Sequence, residues 1–285
     1  MSSTIPVVDY EVFRVFLEDA CGIILGNNKQ YLVSSRLNKL MARHGIETLT
    51  ELVKRMQQIS QRPLKEAVID AMTTNETLWF RDVHPFDIFK TRLLPELQKE
   101  CNGSIRIWSA ACSSGQEPYS LSMIVDEYRA ANRGLLKHSV ELVATDVSRS
   151  MLALCNEAEY ASLSLGRGLA RERQKRFFEP VDGDVWRVKT DIRKRVCFQA
   201  LNLKDSYTSL GKFDVVFCRN VLIYFSADLK EDILCRIHGA LRPGGYLVLG
   251  ASEGLSGGNQ YYEMVQCNPG IIYRAVKQGL FSGAS

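Results

Sequence analysis

The sequence predicts an α/β protein in which a parallel sheet wound with helices carries a small antiparallel insertion and follows an all-α unit. Three observations carry this. Up to residue 72, apolar residues recur at helical spacing and never alternate with period two. From about residue 103, short apolar runs alternate with helical stretches, the pattern of parallel strands joined by crossover helices. Residues 160–196 break that alternation. A chain of 285 residues has room for one large domain or two unequal ones. We expect an all-α domain over 1–72, a linker over 73–90 and an α/β domain over 91–285, with its β subdomain at about 160–196.

The elements follow in order. Asp9 precedes an apolar stripe of Phe13, Phe16, Leu17 and Ala20 that Gly22 stops. Leu32, Val33, Leu37, Leu40 and Met41 form the next stripe, ending at His44-Gly45. Thr48 stands three residues before Glu51, a capping box ahead of Leu52, Val53 and Met56. Pro63 suits the first turn of a helix through Leu64, Ala67, Val68, Ala71 and Met72, and Thr73–Asp82 leads out of the unit. Strands are expected at Ile105–Trp108, Val140–Ala144, Arg195–Ala200, Phe213–Cys218, Tyr246–Gly250 and Ile271–Val276. Helices are expected at Tyr119–Tyr128, near Ser150–Ala158 and at Ala227–Leu241, with a turn at Pro243-Gly244-Gly245. In the insertion, Val185–Val188 and Ile192–Val196 read as short strands around a Pro180–Asp184 turn.

Composition removes several classes. The 46% hydrophobic and 24% charged fractions are those of a globular protein and exclude a disordered or collagenous one. No run of eighteen apolar residues is available to span a membrane. Residues 1–20 carry Asp9, Glu11, Glu18 and Asp19 without a basic start or apolar centre, so no signal peptide is expected. The eight cysteines and four histidines fall in no zinc spacing; we expect no metal, and reduced thiols in a cytoplasmic protein. A net charge of +4 is too mild to imply nucleic acid.

The strand–turn–helix from Ile105 to Ser120 is the candidate cofactor loop, because a helix start at a strand's carboxyl end offers unpaired amides and positive dipole. Its one glycine, Gly115, does not make the glycine fingerprint that a dinucleotide's pyrophosphate needs. A tight turn with no ligand is the alternative. The second strand ends in Asp146, where an acid accepts from both ribose hydroxyls; a surface helix cap is the plainer reading of the same residue. Together they point to a nucleoside ligand without pyrophosphate, and S-adenosylmethionine fits. Beyond the fourth strand, Cys218-Arg219-Asn220-Val221-Leu222-Ile223-Tyr224-Phe225 would place Arg219, Asn220 and Tyr224 toward cofactor or substrate. The Asn/Asp-Pro-Pro-aromatic motif of base methyltransferases is missing there, which argues against nucleic-acid base chemistry.

Five blocks in register make the sequence resemble the CheR family of chemotaxis-receptor glutamate O-methyltransferases. They are Thr73–Arg81 (TTNETLWFR), Trp108–Ser120 (WSAACSSGQEPYS), Ala144-Thr145-Asp146, Cys218–Phe225 (CRNVLIYF) and Leu241–Gly245 (LRPGG). The resemblance covers nearly the whole chain and implies a Rossmann-like S-adenosylmethionine-dependent methyltransferase domain. It implies that Asn75, Thr77 and Arg81 contact the methionine end of the cofactor, Glu117 is a cofactor-contacting acid and Asp146 binds the ribose. Asn202 and Leu203 would lie beside the adenine, Arg219 and Asn220 at the fourth strand's end, and Tyr224 at the methyl-transfer site. Gln116 departs from the family, which commonly has a second glutamate there. Arg81 and Tyr224 are the expected catalytic residues, orienting the substrate carboxylate; a salt bridge for Arg81 and core packing for Tyr224 are the structural alternatives.

The positive charge is clustered. Lys29, Arg36, Lys39 and Arg43 stand in 29–43 without an acid, the last three at i, i+3, i+7. Residues 167–195 hold ten basic side chains against five acidic ones. Solvated faces are the plain explanation of both. In the family both places meet the receptor, so Arg36, Lys39 and Arg43 are the expected substrate-protein contacts; the insertion can dock a receptor tail, although the Pro180–Asp184 turn is short for that. The partners implied are cytoplasmic domains of transmembrane chemoreceptors, with no nucleic acid and no membrane insertion, for a monomer at receptor arrays on the inner membrane. S-adenosylhomocysteine is the implied product. A non-catalytic S-adenosylmethionine-binding regulatory module and a nucleic-acid methyltransferase are the competing functions.

Overall fold

Four helices build the N-terminal unit: α1 (Val7–Cys21), α2 (Gln30–Arg43), α3 (Leu49–Met56) and α4 (Arg62–Met72). The computed structural model describes residues 5–101, 103–255 and 257–276. The stripes read from sequence are the faces that meet, with Tyr10, Phe13, Leu17, Val33, Leu37, Leu52 and Val68 in one buried cluster. Gly22 ends α1 in the left-handed conformation, φ 80°, its N–H donating to Glu18 O at 2.8 Å, as a C-terminal cap requires. The Thr48 hydroxyl accepts from Glu51 N–H at 3.1 Å. The reciprocal bond falls one residue early, since Glu51 Oε2 accepts from Glu47 N–H at 3.2 Å.

After residues 73–83 the chain enters α5 (His84–Ile88), passes through one π-helical turn (Phe89–Leu93) and continues as α6 (Leu94–Glu100). This helical segment lies partly in the stretch expected as linker; Phe86, Phe89, Leu93 and Leu97 are its buried side. Then follow β1 (Ile105–Ala110), α7 (Gln116–Ala131), β2 (Val140–Asp146) and α8 (Arg149–Glu157). The insertion comprises β3 (Glu159–Ala161), α9 (Ser162–Leu165), α10 (Arg171–Phe177), β4 (Phe178–Asp182), β5 (Val185–Val188) and α11 (Thr190–Arg193). The chain closes with β6 (Val196–Ala200), β7 (Phe213–Cys218), α12 (Ala227–Ala240), β8 (Leu241–Leu249), β9 (Tyr262–Gln266) and β10 (Ile271–Ala275).

Seven strands form one sheet in the order β6-β2-β1-β7-β8-β10-β9, all running the same way except β10, which is antiparallel to both of its neighbours. The chain winds outward from β1 in both directions, so β1 and β7 flank the switch point where ligands bind in such sheets. Both faces are covered, which is why these strands read as nearly unbroken apolar runs. Ile105 and Ile107 of β1 pack with Val215 and Phe217 of β7 on one face, while Trp108 and Ala110 pack with Val216 and Cys218 on the other.

Three expectations change. In the insertion, β5 pairs with β3 and β4, and Ile192 belongs to a helical turn; the buried Ile192 side chain supplied the apolar signal read as a strand. Strand β8 starts at Leu241, not Tyr246. Phe213 faces Leu241 and Val215 faces Tyr246, so Pro243-Gly244-Gly245 is extruded as a bulge, where a proline is tolerated because no ladder bond is needed. Strand β9 had no sequence signal: Glu263 and Met264 are exposed, leaving no clear alternation.

Candidate active site

Three segments close on the carboxyl ends of β1, β2 and β7, and the N-terminal unit covers them. The cavity between them is about 280 Å³. Asn75, Thr77, Arg81, Glu117, Asp146, Asn202, Leu203, Arg219, Asn220 and Tyr224 all line it, as does Arg36. Lys39 and Arg43 lie outside it, exposed on α2.

Asp146, at the end of β2, is buried. Its Oδ2 accepts from Ser113 N–H at 2.7 Å and its Oδ1 from Ser148 N–H at 2.9 Å. Burial pushes its carboxyl above the usual aspartate range, partly offset by the bonds from the main-chain amides of Ser148 and Ser113. Asp146 thus builds the β1–α7 loop as well as facing the cavity. The loop is strapped further by Ser113 Oγ donating to Asn75 O at 2.8 Å and Tyr160 OH donating to Ser114 O at 2.7 Å.

Arg219 is the hub of the opposite wall, its side chain only 2% exposed. Its Nη1 donates to Glu117 Oε2 at 2.8 Å; its Nη2 donates to Asp82 Oδ2 and to Arg81 O, each at 2.8 Å. Glu117, in the first turn of α7, also accepts from Ser109 Oγ at 2.8 Å. One guanidinium therefore fastens β7 to α7 and to the 73–83 segment. Arg81 Nη1 donates to Glu76 O at 3.0 Å. The 73–83 segment can lie against the insertion because residue 168 is glycine (φ 98°): a Cβ there would stand 2.1 Å from Trp79 O.

The N-terminal unit is tied to this frame at several points. Asn202 Nδ2 donates to Ala20 O at 2.8 Å and Ile24 N–H to Tyr224 O at 2.9 Å. Arg149 pairs with Glu66 at 3.0 Å, and the Ser148 hydroxyl donates to Asp70. Arg36 donates to Met72 O at 2.6 Å, Thr73 O at 3.0 Å and Thr74 Oγ1 at 3.1 Å. Its guanidinium thus holds the exit of α4 and forms cavity wall, set apart from the outward Lys39 and Arg43.

Backbone strain gathers here. Of the seven non-glycine residues with positive φ among the described residues, Phe80, Asp82 and Val83 lie in the 73–83 segment, Ala111 and Ser113 in the β1–α7 loop and Asn220 in the loop after β7. Such conformations cost on the order of 1–3 kcal/mol each and persist where surroundings over-determine them; the bonds to Asp146, Arg219 and the Glu253 carboxylate do so here. Sequence reasoning missed Asp82 and Glu253. Asp82 had a signal, an acid beside Arg81, whereas Glu253 lies in a glycine-rich loop with nothing to mark it.

The basic stretch of 167–195 is largely neutralised. Arg167 pairs with Glu76 at 3.1 Å, Arg173 with Glu127 at 2.7 Å and Arg176 with Asp126 at 2.7 Å. Arg187 pairs with Glu159 and Lys194 with Asp191. Among the described residues there is no cluster of three metal-ligating side chains and no helix long and apolar enough to cross a membrane.

A doubly wound sheet with a cavity at the carboxyl ends of β1, β2 and β7 and an acid closing β2 is that of a nucleoside-binding α/β protein, and the family models narrow this to the S-adenosylmethionine-dependent methyltransferases. Residues 8–73 match the family model of the CheR methyltransferase all-alpha domain, and residues 75–271 that of the CheR methyltransferase SAM binding domain. The chain belongs to the CheR methyltransferase family. It is 64% identical to chemotaxis protein methyltransferase 1 of Pseudomonas aeruginosa over 94% of this chain and 97% of that protein. It is 60% identical to chemotaxis protein methyltransferase Cher2 of Pseudomonas putida over 94% and 98%. Among solved structures, the glycopeptide N-methyltransferase MtfA complexed with sinefungin is similar at 14% identity and TM-score 0.36, over 60% of this chain and 53% of that one.

Proposed function

We infer that this protein methylates glutamate side chains of chemoreceptors with S-adenosylmethionine, leaving γ-methyl esters and S-adenosylhomocysteine. The observation that carries the reading is the convergence, in a CheR-family chain, of all ten expected cofactor and catalytic residues on one cavity.

The donor set fits the cofactor. A carboxylate has about four lone-pair sites, and main-chain amides engage two of those of Asp146, leaving acceptors for vicinal ribose hydroxyls. Leu25, Leu203, Val221 and Phe225 offer apolar walls for a base. Asn202 lies beside that base, its side chain engaged by Ala20 O. Glu117 suits an ammonium group, and Asn75, Thr77 and Arg81 face the same end. Arg219 and Asn220 complete the wall beyond β7. Arg219 is already paired with two carboxylates and Arg36 with carbonyls, which leaves Arg81 as the arginine of this wall with donors to spare.

When bound, S-adenosylmethionine supplies a methyl carbon activated by its sulfonium. A substrate glutamate, with a reference pKa of about 4.3, is already ionised at neutral pH, so the protein needs no general base. Its contribution is alignment and exclusion of water. Arg81 holds the incoming carboxylate in a two-pronged bond, and Tyr224 donates to it from the loop after β7.

Lys39 and Arg43 present positive charge to an acidic receptor helix, which accelerates encounter and fixes orientation. Arg36 contributes by holding the segment behind them. Residues 1–72, the 73–90 linker and 91–285 serve as docking unit, cofactor strap and catalytic domain of a monomer working on receptor arrays at the cytoplasmic face of the inner membrane. Incubation with methyl-labelled cofactor and a receptor cytoplasmic fragment should give label that mild alkali releases as methanol. Label that resists alkali, or that appears only on nucleic acid, refutes the reading.

A further inference from the structure

We propose that Glu253 is a positioning residue for methyl transfer, its carboxylate holding the loop that carries Asn220 and Tyr224 through four main-chain amides. The assignment rests on the function inferred above. Glu253 Oε2 accepts from Asn220 N–H at 2.6 Å and from Gly250 N–H at 2.9 Å. Its Oε1 accepts from Val221 N–H at 2.9 Å and from Leu222 N–H at 2.8 Å. Three successive N–H groups turned on one anion make a nest, and here the chain's own side chain fills it.

Each part of the loop depends on this bond set. Asn220 takes φ 58°, a conformation that asparagine accepts more readily than most residues, and so aims its N–H with the two that follow. Gly250 must lack a side chain: a Cβ there would stand 2.6 Å from Glu253 Oε2 and 2.9 Å from Asn220 N. The carboxylate thereby joins the ends of β7 and β8 just past their last pair, Cys218 and Leu249. From this anchor the chain makes one 3-10 turn, Leu222–Tyr224, and Tyr224 O receives the N–H of Ile24 from the N-terminal unit. Glu253 is outside the set of residues lining the cavity, so it acts through Asn220 and Tyr224. Hydrogen bonds to an ionised acceptor are about twice as strong as neutral ones. A neutral amide replacing the carboxylate keeps one oxygen and turns an NH2 toward two of the four N–H donors.

The test uses the full-length protein as wild type, Glu253→Gln and Glu253→Asp, assayed well below the lowest melting temperature. The readouts are kcat and KM for the receptor fragment, calorimetric cofactor affinity, and hydrogen exchange of the 220–222 amides. We expect Glu253→Gln to lower kcat by about 10- to 100-fold, the cost of misplacing a reacting group by an ångström or less. Cofactor Kd should weaken by a smaller factor than kcat falls, since Asn220 is one of several residues lining the cofactor end, and exchange at 220–222 should accelerate. Glu253→Asp keeps both oxygens on a shorter stem and should recover part of kcat. A Glu253→Gln protein that melts lower but keeps kcat within about twofold of wild type overturns the proposal. Should Glu253→Gln not fold, a wild-type kcat in Glu253→Asp overturns it. If wild type forms no alkali-labile ester, the functional reading fails; the positioning claim then survives only if the 220–222 amides exchange faster in the variants.

Discussion

Replacing Arg219 by methionine should cost the fold about 3–4 kcal/mol. The guanidinium is 2% exposed, bonded at 2.8 Å to Glu117, which is 12% exposed, and at 2.8 Å to Asp82, which is 35% exposed. Breaking a buried pair from one side costs about 3–5 kcal/mol because the other charge is left uncompensated. Glu117 meets that description, keeping only the Ser109 hydroxyl. Asp82 is exposed enough for water to replace its partner and adds little. For a chain of this size, each kcal/mol lowers the melting temperature by about 2–4 °C, so the drop should be roughly 6–16 °C. Urea unfolding followed by tryptophan fluorescence, with m unchanged, measures it. Adding Glu117→Gln to Arg219→Met removes the stranded charge and should restore about 2 kcal/mol. A loss below about 1 kcal/mol for Arg219→Met, or additivity in the double variant, would refute the hub assignment.

Asp146→Asn should weaken cofactor binding by about tenfold or more, since a charged acceptor is lost. Because burial raises the Asp146 carboxyl, wild-type affinity should decline on acidification before an ordinary carboxylate would protonate, and the Asn variant should show no such limb in calorimetry across pH. Glu127 shifts the other way: burial pushes it up, but hydrogen bonds from Arg173 and Lys90 outweigh this and lower it. Its stabilisation is therefore present above the unfolded carboxylate value of about 4.3 and is lost as pH falls through the lower folded value. Glu127→Gln should be less stable than wild type at neutral pH with the gap closing in acid; a pH-independent gap in urea unfolding counts against this. Charge reversal at Lys39 or Arg43 should raise KM for the receptor fragment at low salt and lose that effect at high salt, with kcat unchanged. Stopped-flow association that ignores both substitutions would remove α2 from the docking surface.

What could be read along the chain was whatever neighbouring residues settle among themselves. The stripe of Phe13 and Leu17 closed by Gly22, the Thr48 cap, the apolar runs of β1 and β7, and Asp146 after its strand are local patterns, because burial of one face imposes a period on nearby residues. Asp146, Arg219, Asn220 and Tyr224 were legible as cavity residues for the same reason, since they stand at or just beyond strand ends; Asn75, Thr77, Glu117, Asn202 and Leu203 had only the family's motifs to mark them. Folding decided the rest, because it rests on partners far apart in sequence. Arg219 meets Asp82 and Glu117 only when β7 lies beside β1. Arg36, one of three basic residues at helical spacing on α2, turns to the carbonyls of Met72 and Thr73, whereas Lys39 and Arg43 stay exposed. The basic run of 167–195 is balanced by Glu76, Asp126, Glu127 and Glu159 from other elements, so counting charges along the chain overstated its free positive surface. Glu253 carries no local signal at all. Its role exists only because two parallel strands end side by side and leave four amides converging on one point.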